Sequence, residues 1–425
     1  MRGLMKADLL KPRTWIAPYA LLWFGVGLLP FQPTDLDVFF WPSVRSAVDG
    51  QPLQVYSAWG LALYPNANGP VSLLPLSVLG YLLNAAGQFD AFALRRGAAL
   101  GLFSLFILLL AREAVAAVER MRGGPLQPGW KLLAYGVFAL NPLAWDSVAG
   151  YGHIEQPIEI WLLLVALRWL HERKALPAGI AFGASILTRS SAVLMTVPFG
   201  LATLPRGRRM FVAFFAAAVG SAIGILLPFL LADQSDVVHS LFTYRGSLPV
   251  GAGSVWSLAR GGALEPIVQH WDTVAVVAVV IATNVLLSGT KGLVDESRLF
   301  AAMTATSAAF AMLAKTVWPY YMFEMFVFGT VWAAGTWRMA YGPVRLVLIP
   351  LALSVMVLIA EIGSAQNLPL MQVRIEGAAM FAMLGILLVW TLWFATGPQA
   401  ASTGMAPTAV WLKQHGPEGA SESSG

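Results

Sequence analysis

The chain has 425 residues, of which 57% are hydrophobic and only 12% are charged. A soluble domain carries about 25% charged residues, so this composition excludes a water-soluble surface for the whole chain and indicates a polytopic, all-α membrane protein. With no cysteine, disulfides, thiolate metal sites and cysteine nucleophiles are excluded, and the net charge of +5 sits on loop lysines and arginines, which does not argue for nucleic acid.

At the N-terminus, Arg2, Lys6, Lys11 and Arg13 precede an apolar run from Thr14 to Pro30. The pattern mimics a signal peptide. Pro30 and Pro33 stand where a small-residue cleavage site would fall, so an uncleaved signal-anchor is expected. Just past it lie Asp35 and Asp37, two carboxylates at the membrane surface. A general base must reach the hydroxyl it deprotonates, and an aspartate at headgroup level can reach a lipid-borne acceptor. The competing reading makes Asp37 a helix N-cap for the segment beginning Val38-Phe39-Phe40. The Asp-Leu-Asp spacing also matches a metal-binding DxD, but the chain has no glycine fingerprint of a nucleotide-binding domain.

Residues 41–56 predict a short amphipathic helix along the membrane surface, stopped at Gly50 and turned at Pro52. Tyr64-Pro65-Asn66 then leads into 70–86, an apolar stretch broken by Pro75 and Gly80.

A crossing helix needs about 20 apolar residues. The candidate spans are 14–30, 93–111, 132–149, 157–170, 211–231, 273–289, 299–314, 318–337, 344–361 and 377–396. The stretch 177–204 carries Arg189 at its middle. Each half is about 12 residues, roughly 18 Å of helix against a core of about 30 Å. A re-entrant hairpin with Arg189 at its tip fits better than two spans. If 70–86 dips without crossing and 177–204 returns to its own side, Arg112, Arg120, Arg122, Lys131, Arg168, Arg173 and Lys174 all face the cytoplasm. Only Arg95 and Arg96 then face outward. The opposite assignment inverts this balance, so the positive-inside rule favours the first. The segments 31–92, 149–156, 233–272 and 315–317 then share the outer side, and both termini are cytoplasmic.

The remaining polar residues fall in this outer set. Asn141-Pro142 interrupts one span and leads to Gly152-His153-Ile154-Glu155-Gln156. This is either a polar site at the membrane boundary or a wet loop. Arg189 is costly at membrane depth unless paired or hydrated. It is read as a phosphate ligand or as the partner of a carboxylate such as Glu155. Tyr244 and Trp256 could stack on a sugar ring or serve as interfacial anchors, and Arg245 could hold a phosphate. Lys315 and Tyr320 repeat the pairing of cation and aromatic, and Glu324, one turn deeper, is placed to pair with Lys315. The Gly-, Ser- and Pro-rich stretch 398–425 is expected to be a disordered tail.

The order of these elements resembles the GT-C superfamily of integral-membrane glycosyltransferases, and more narrowly its bacterial polyprenyl-phosphate-mannose-dependent mannosyltransferases. The resemblance rests on Thr34-Asp35 after the first span, Ala47-Val48-Asp49-Gly50-Gln51-Pro52 leading to Tyr56, Tyr64-Pro65, and Asn141-Pro142 before Gly152-His153-Ile154-Glu155-Gln156. Arg189 at the hairpin tip and Trp318-Pro319-Tyr320 complete it. It departs at Asn66, where the family often has a second proline, and in a Gly-Gln pair spread over 152–156. The resemblance implies a GT-C fold in the bacterial cytoplasmic membrane, an outward-facing site and inversion at the anomeric carbon. The implied partners are a polyprenyl-phosphate-linked sugar donor and a lipid or glycan acceptor. Asp35, with Asp37 second, would act as base. Arg189, His153, Arg245 and Lys315 would meet the phosphate. Tyr64, Glu155, Gln156, Tyr244, Trp256 and Tyr320 would line the substrate site. No cofactor is expected, with a divalent metal left open. The reading from another class is a transporter or flippase of lipid-linked sugars or other solutes, since broken helices and buried charges also mark transport sites.

Overall fold

In the computed structural model, residues 13–30, 34–57, 65–251, 254–289, 292–336 and 370–396 are described. Helix accounts for 81% of them and no strand occurs among them. Tyr64, the span 344–361 and the tail 398–425 lie outside the described residues.

The main helices are α1 (Arg13–Gly27), α2 (Trp41–Val48), α3 (Pro70–Ala85), α4 (Phe92–Met121), α5 (Pro128–Ala139), α6 (Glu155–His171), α7 (Ala175–Ile186), α8 (Thr196–Thr203), α9 (Arg208–Ala232), α10 (Glu265–Ser288), α11 (Glu296–Leu313), α12 (Met322–Thr336) and α13 (Leu370–Thr396). Four stretches among the described residues are long and apolar enough to cross a membrane: Phe92–Met121, Pro128–Gly150, Arg208–Ala232 and Glu265–Ser288. This marks a membrane protein, but with fewer such helices than the ten spans expected. The shortfall has visible causes. α1 ends after 15 residues and α6 after 17, short of the roughly 20 a crossing requires. α11 opens with Glu296 and Arg298 and is lined with Thr304, Thr306 and Ser307, which are buried against neighbouring helices.

The stretch 177–204 is broken near its middle, as expected, while its two helices do not pack along one another. α7 stops at Ile186, the backbone extends at Arg189 (φ −148°, ψ 130°), and a 3-10 turn leads into α8. α7 packs closely along α9 through Gly179 and Gly183. A Cβ added there would lie 2.2 Å from the Phe214 carbonyl oxygen or 2.3 Å from that of Ala218. This is the small-xxx-small contact that lets apolar helices approach where lipid gives no hydrophobic drive.

α4 orders the rest. Its 30 residues span about 45 Å. Near its N-terminus, Arg95 and Arg96 face Asp37. Near its other end Arg120 binds Glu296 at 2.6 Å, Glu113 meets Arg168 at 3.0 Å, and Glu119 meets Lys131 at 2.9 Å. The polar groups therefore fall into two clusters at opposite ends of one helix.

Candidate active site

The first cluster is built on a turn. Thr34 through Val38 begins as a capping box: the Asp37 carboxylate reaches back to accept from the Thr34 N–H at 3.0 Å, and the Asp37 and Val38 N–H groups bond the Thr34 carbonyl. Asp37 thus satisfies a donor behind it and does not cap the segment after it as expected. Its side chain is 4% exposed and lies 3.6 Å from Arg95 and 3.7 Å from Arg96. A π turn, Leu36–Phe40, continues into α2, which ends ahead of Gly50.

Asp35 has a different setting. Its side chain is 33% exposed, and its Oδ2 lies 2.9 Å from His153 Nε2. On the other side of the ring, Nδ1 is 2.6 Å from Glu155 Oε1, and Glu155 is fully buried. Asp35 and two residues 118 and 120 positions further on thus form a carboxylate–imidazole–carboxylate line. Burial works against the charged ring, but the Glu155 charge, with Asp35, outweighs it and raises the His153 pKa.

The local fold holds this line in place. Asn141 caps the turn Pro142–Trp145, its side chain accepting from the Leu143 N–H at 2.8 Å. A π turn then delivers the chain to Tyr151, whose carbonyl accepts from the Asp35 N–H at 2.9 Å. Gly152 follows with φ +82°, and a Cβ there would lie 2.5 Å from the Leu36 nitrogen. Only glycine fits both the conformation and the approach. Tyr320 covers the ring, with centroids 3.7 Å apart at 31°. Gln156 fixes that cover: its Nε2 donates to the Tyr320 carbonyl at 2.9 Å, while Ser147 donates to its Oε1.

Asp35, His153, Glu155, Gln156 and Tyr320 therefore converge. The other expected residues stand elsewhere or serve the fold. Arg189 is fully buried and its Nη1 lies 2.8 Å from Glu324 and 3.8 Å from Glu159, with the Ser191 hydroxyl 3.3 Å from an oxygen of each carboxylate and able to donate to either. Its ion-pair partners are these two and not Glu155. Its guanidinium also lies over the Tyr321 ring at 4.8 Å. Two of its nitrogens, Nε and Nη2, have no hydrogen-bond partner among the described residues. Glu324 consequently does not pair with Lys315. The Lys315 ammonium donates to the Gly246 carbonyl at 2.6 Å and the Gln269 carbonyl at 2.9 Å, stitching a loop to α10. Burial lowers its pKa, with Asp272 opposing. Trp256 anchors the end of α11 by donating its indole N–H to the Leu313 carbonyl. Tyr244 sits on its own short helix, Tyr244–Ser247, edge-on to His239. The Arg245 side chain is outside the described atoms.

Glu159 was not singled out from sequence, Glu324 was assigned to the wrong partner, and Arg95 was weighed only for topology. Glu159 and Glu324 supply the carboxylates for Arg189, and Arg95 joins the Asp37 face. The available signals were two glutamates inside apolar runs and an arginine pair opening the longest apolar helix. Among the described residues no group of three or more acidic or imidazole side chains is arranged to hold a metal ion. No protein-family model and no curated protein sequence matches the chain.

Proposed function

We propose that this protein is an inverting glycosyltransferase of GT-C type that moves a sugar, mannose in the closest reading, from a polyprenyl-phosphate donor to a membrane-associated acceptor. One observation carries the reading: a partly exposed Asp35 stands at one end of the helical bundle, backed by a buried imidazole and a buried carboxylate. That is the arrangement of a general base held in one orientation. A lipid phosphate is already a fair leaving group, so the protein need only supply positive charge where it develops. Arg95 is a cation at this face, and the flanking carboxylates favour the charged form of His153 beside it. The opposite end of α4 carries Arg120, Lys131 and Arg168, which supports an orientation with that end in the cytoplasm and Asp35 facing outward.

In the proposed reaction the acceptor hydroxyl gives its proton to Asp35 as its oxygen attacks the anomeric carbon. The bond from that carbon to the phosphate oxygen breaks on the opposite face, and its electrons leave with the phosphate. The test is incubation of purified protein with labelled polyprenyl-phosphate-mannose and acceptor lipid. Transfer with inversion supports the reading, and absence of transfer from any polyprenyl-phosphate sugar removes it.

A second reading is favoured by the Arg189–Glu159–Glu324 cluster, since buried ionisable groups at membrane depth also serve translocation. Proteoliposomes that move lipid-linked sugar or solute without chemical transfer would establish it.

A further inference from the structure

We infer that Glu155 is a positioning residue for the Asp35 base, acting through His153 and touching neither substrate. The inference rests on the transferase reading for its catalytic consequence, but its structural core does not.

Glu155 is the first residue of α6 and is 0% exposed. A buried carboxylate is costly unless it is paired. Its Oε1 is committed to His153 Nδ1 at 2.6 Å, and its Oε2 has no hydrogen-bond partner among the described residues. The side chain is thus held in the interior to face one ring. A histidine that only filled space would need no such partner. Tyr320 lies against the ring, and the backbone N–H of His153 bonds the Ser147 carbonyl at 2.8 Å, fixing the backbone from which the ring projects. The groups facing the ring are Asp35 from the first turn, Glu155 from α6, and the Tyr320 ring, itself 5.1 Å from that of Tyr151. Arg189 acts at one remove, through its charge on Glu155.

The consequence concerns which nitrogen carries a proton. With Glu155 ionised, Nδ1 faces its Oε1 at 2.6 Å, and the charged ring meets Asp35 Oδ2 through Nε2 at 2.9 Å as an ion-pair contact outside hydrogen-bond geometry. Asp35 keeps one rotamer, and its other oxygen, Oδ1, remains to take the acceptor proton. Without the Glu155 charge, burial dominates the ring and favours its neutral form. The ring then no longer presents a positive charge to Asp35, and the base loses the ion pair that holds its direction. Activity should fall as pH rises through the His153 titration, and that limb should move to lower pH when Glu155 is neutralised.

The test is histidine NMR on the full chain in detergent, with isotope-labelled histidine. There are five histidines, and the His153 signal is assigned by its loss in His153→Gln. In Glu155→Gln the His153 midpoint should fall by more than about one pH unit. Glu155→Asp, which keeps the charge, should restore most of it, and the alkaline limb of turnover should shift in step. An unchanged midpoint in Glu155→Gln overturns the inference, as does lost turnover with an unmoved pH profile. If the glutamine variant does not fold, Glu155→Asp decides: the shorter side chain should give a midpoint below wild type, and an identical one counts against the inference. Wild-type protein that transfers no sugar would remove the transferase reading, while the midpoint comparison still decides whether Glu155 sets His153.

Discussion

Asp35 and Asp37 belong to one turn of the chain yet occupy opposite settings, the first 33% exposed beside an imidazole and the second 4% exposed beside two arginines. One carboxylate is available for chemistry and the other is consumed by the fold. Asp35→Asn keeps the shape and removes the base. Transfer should fall at least about a hundredfold, within the usual range for general-base loss, while donor binding and the melting temperature stay near wild type. Asp37→Asn should show the reverse: reduced thermal stability, because Arg95 and Arg96 lose their counter-charge, with turnover in the surviving protein less affected. Equal turnover in Asp35→Asn and wild type would end the carboxylate-base mechanism.

Arg189 gives a stability prediction. Removing one member of a buried ion pair leaves the others uncompensated and costs about 3–5 kcal/mol. Arg189→Ala should therefore extract poorly and unfold early in detergent, and Arg189→Lys should recover part of the loss, keeping the charge without the fork geometry. A stable Arg189→Ala with a raised donor KM alone would instead assign Arg189 to the phosphate.

The pH dependence of stability follows from His153. Its folded pKa is raised above its ordinary value, so its contribution is fully present below about pH 6.5 and is lost as pH rises through the folded value. The melting temperature of the wild type should decline as pH rises above about 6.5 by more than that of His153→Gln. Parallel curves for the two proteins would show that the ring contributes nothing across that range.

How much of this was legible in the sequence depends on what was asked. The all-helical character, the break at Asn141-Pro142 and the turn at Arg189 follow from local composition and occur where expected, whereas among the described residues only four of the ten expected spans are long and apolar enough to cross. Asp35 and the His153–Glu155 pair stood out because polar residues at membrane boundaries are few. That they meet was not legible: 118 residues separate Asp35 from His153, and the contact depends on Gly152 lying against Leu36. The Arg189 partners were misjudged for a related reason. Glu155, Glu159 and Glu324 all interrupt apolar runs, and hydropathy alone cannot say which one faces the arginine. Lys315 was read as a phosphate ligand or a partner of Glu324, because its actual partners are backbone carbonyls, which a sequence never displays.

The proposed orientation can be checked directly, because the chain has no cysteine of its own. Single cysteines at Ser57 and at Arg120 should react differently with an impermeant thiol reagent on intact cells, with labelling at 57 and none at 120. Labelling at 120 alone would turn the protein over in the membrane and place Asp35 on the cytoplasmic side.

Arg189 and Glu324 are 135 positions apart in the chain, and this has a consequence for biosynthesis. When the 189 turn leaves the ribosome, Glu324 has not yet been made. Of its two ion-pair partners only Glu159 is present, farther off at 3.8 Å in the finished structure, with Glu155 acting on it at longer range. The nascent bundle must carry a poorly compensated charge until α12 arrives. The last quarter of the chain then brings both Glu324 and the Tyr320 that closes over His153, so insertion of one late helix neutralises the interior and completes the site in the same event. Truncations ahead of α12 should be quality-control substrates, recognised by an arginine waiting for its partner.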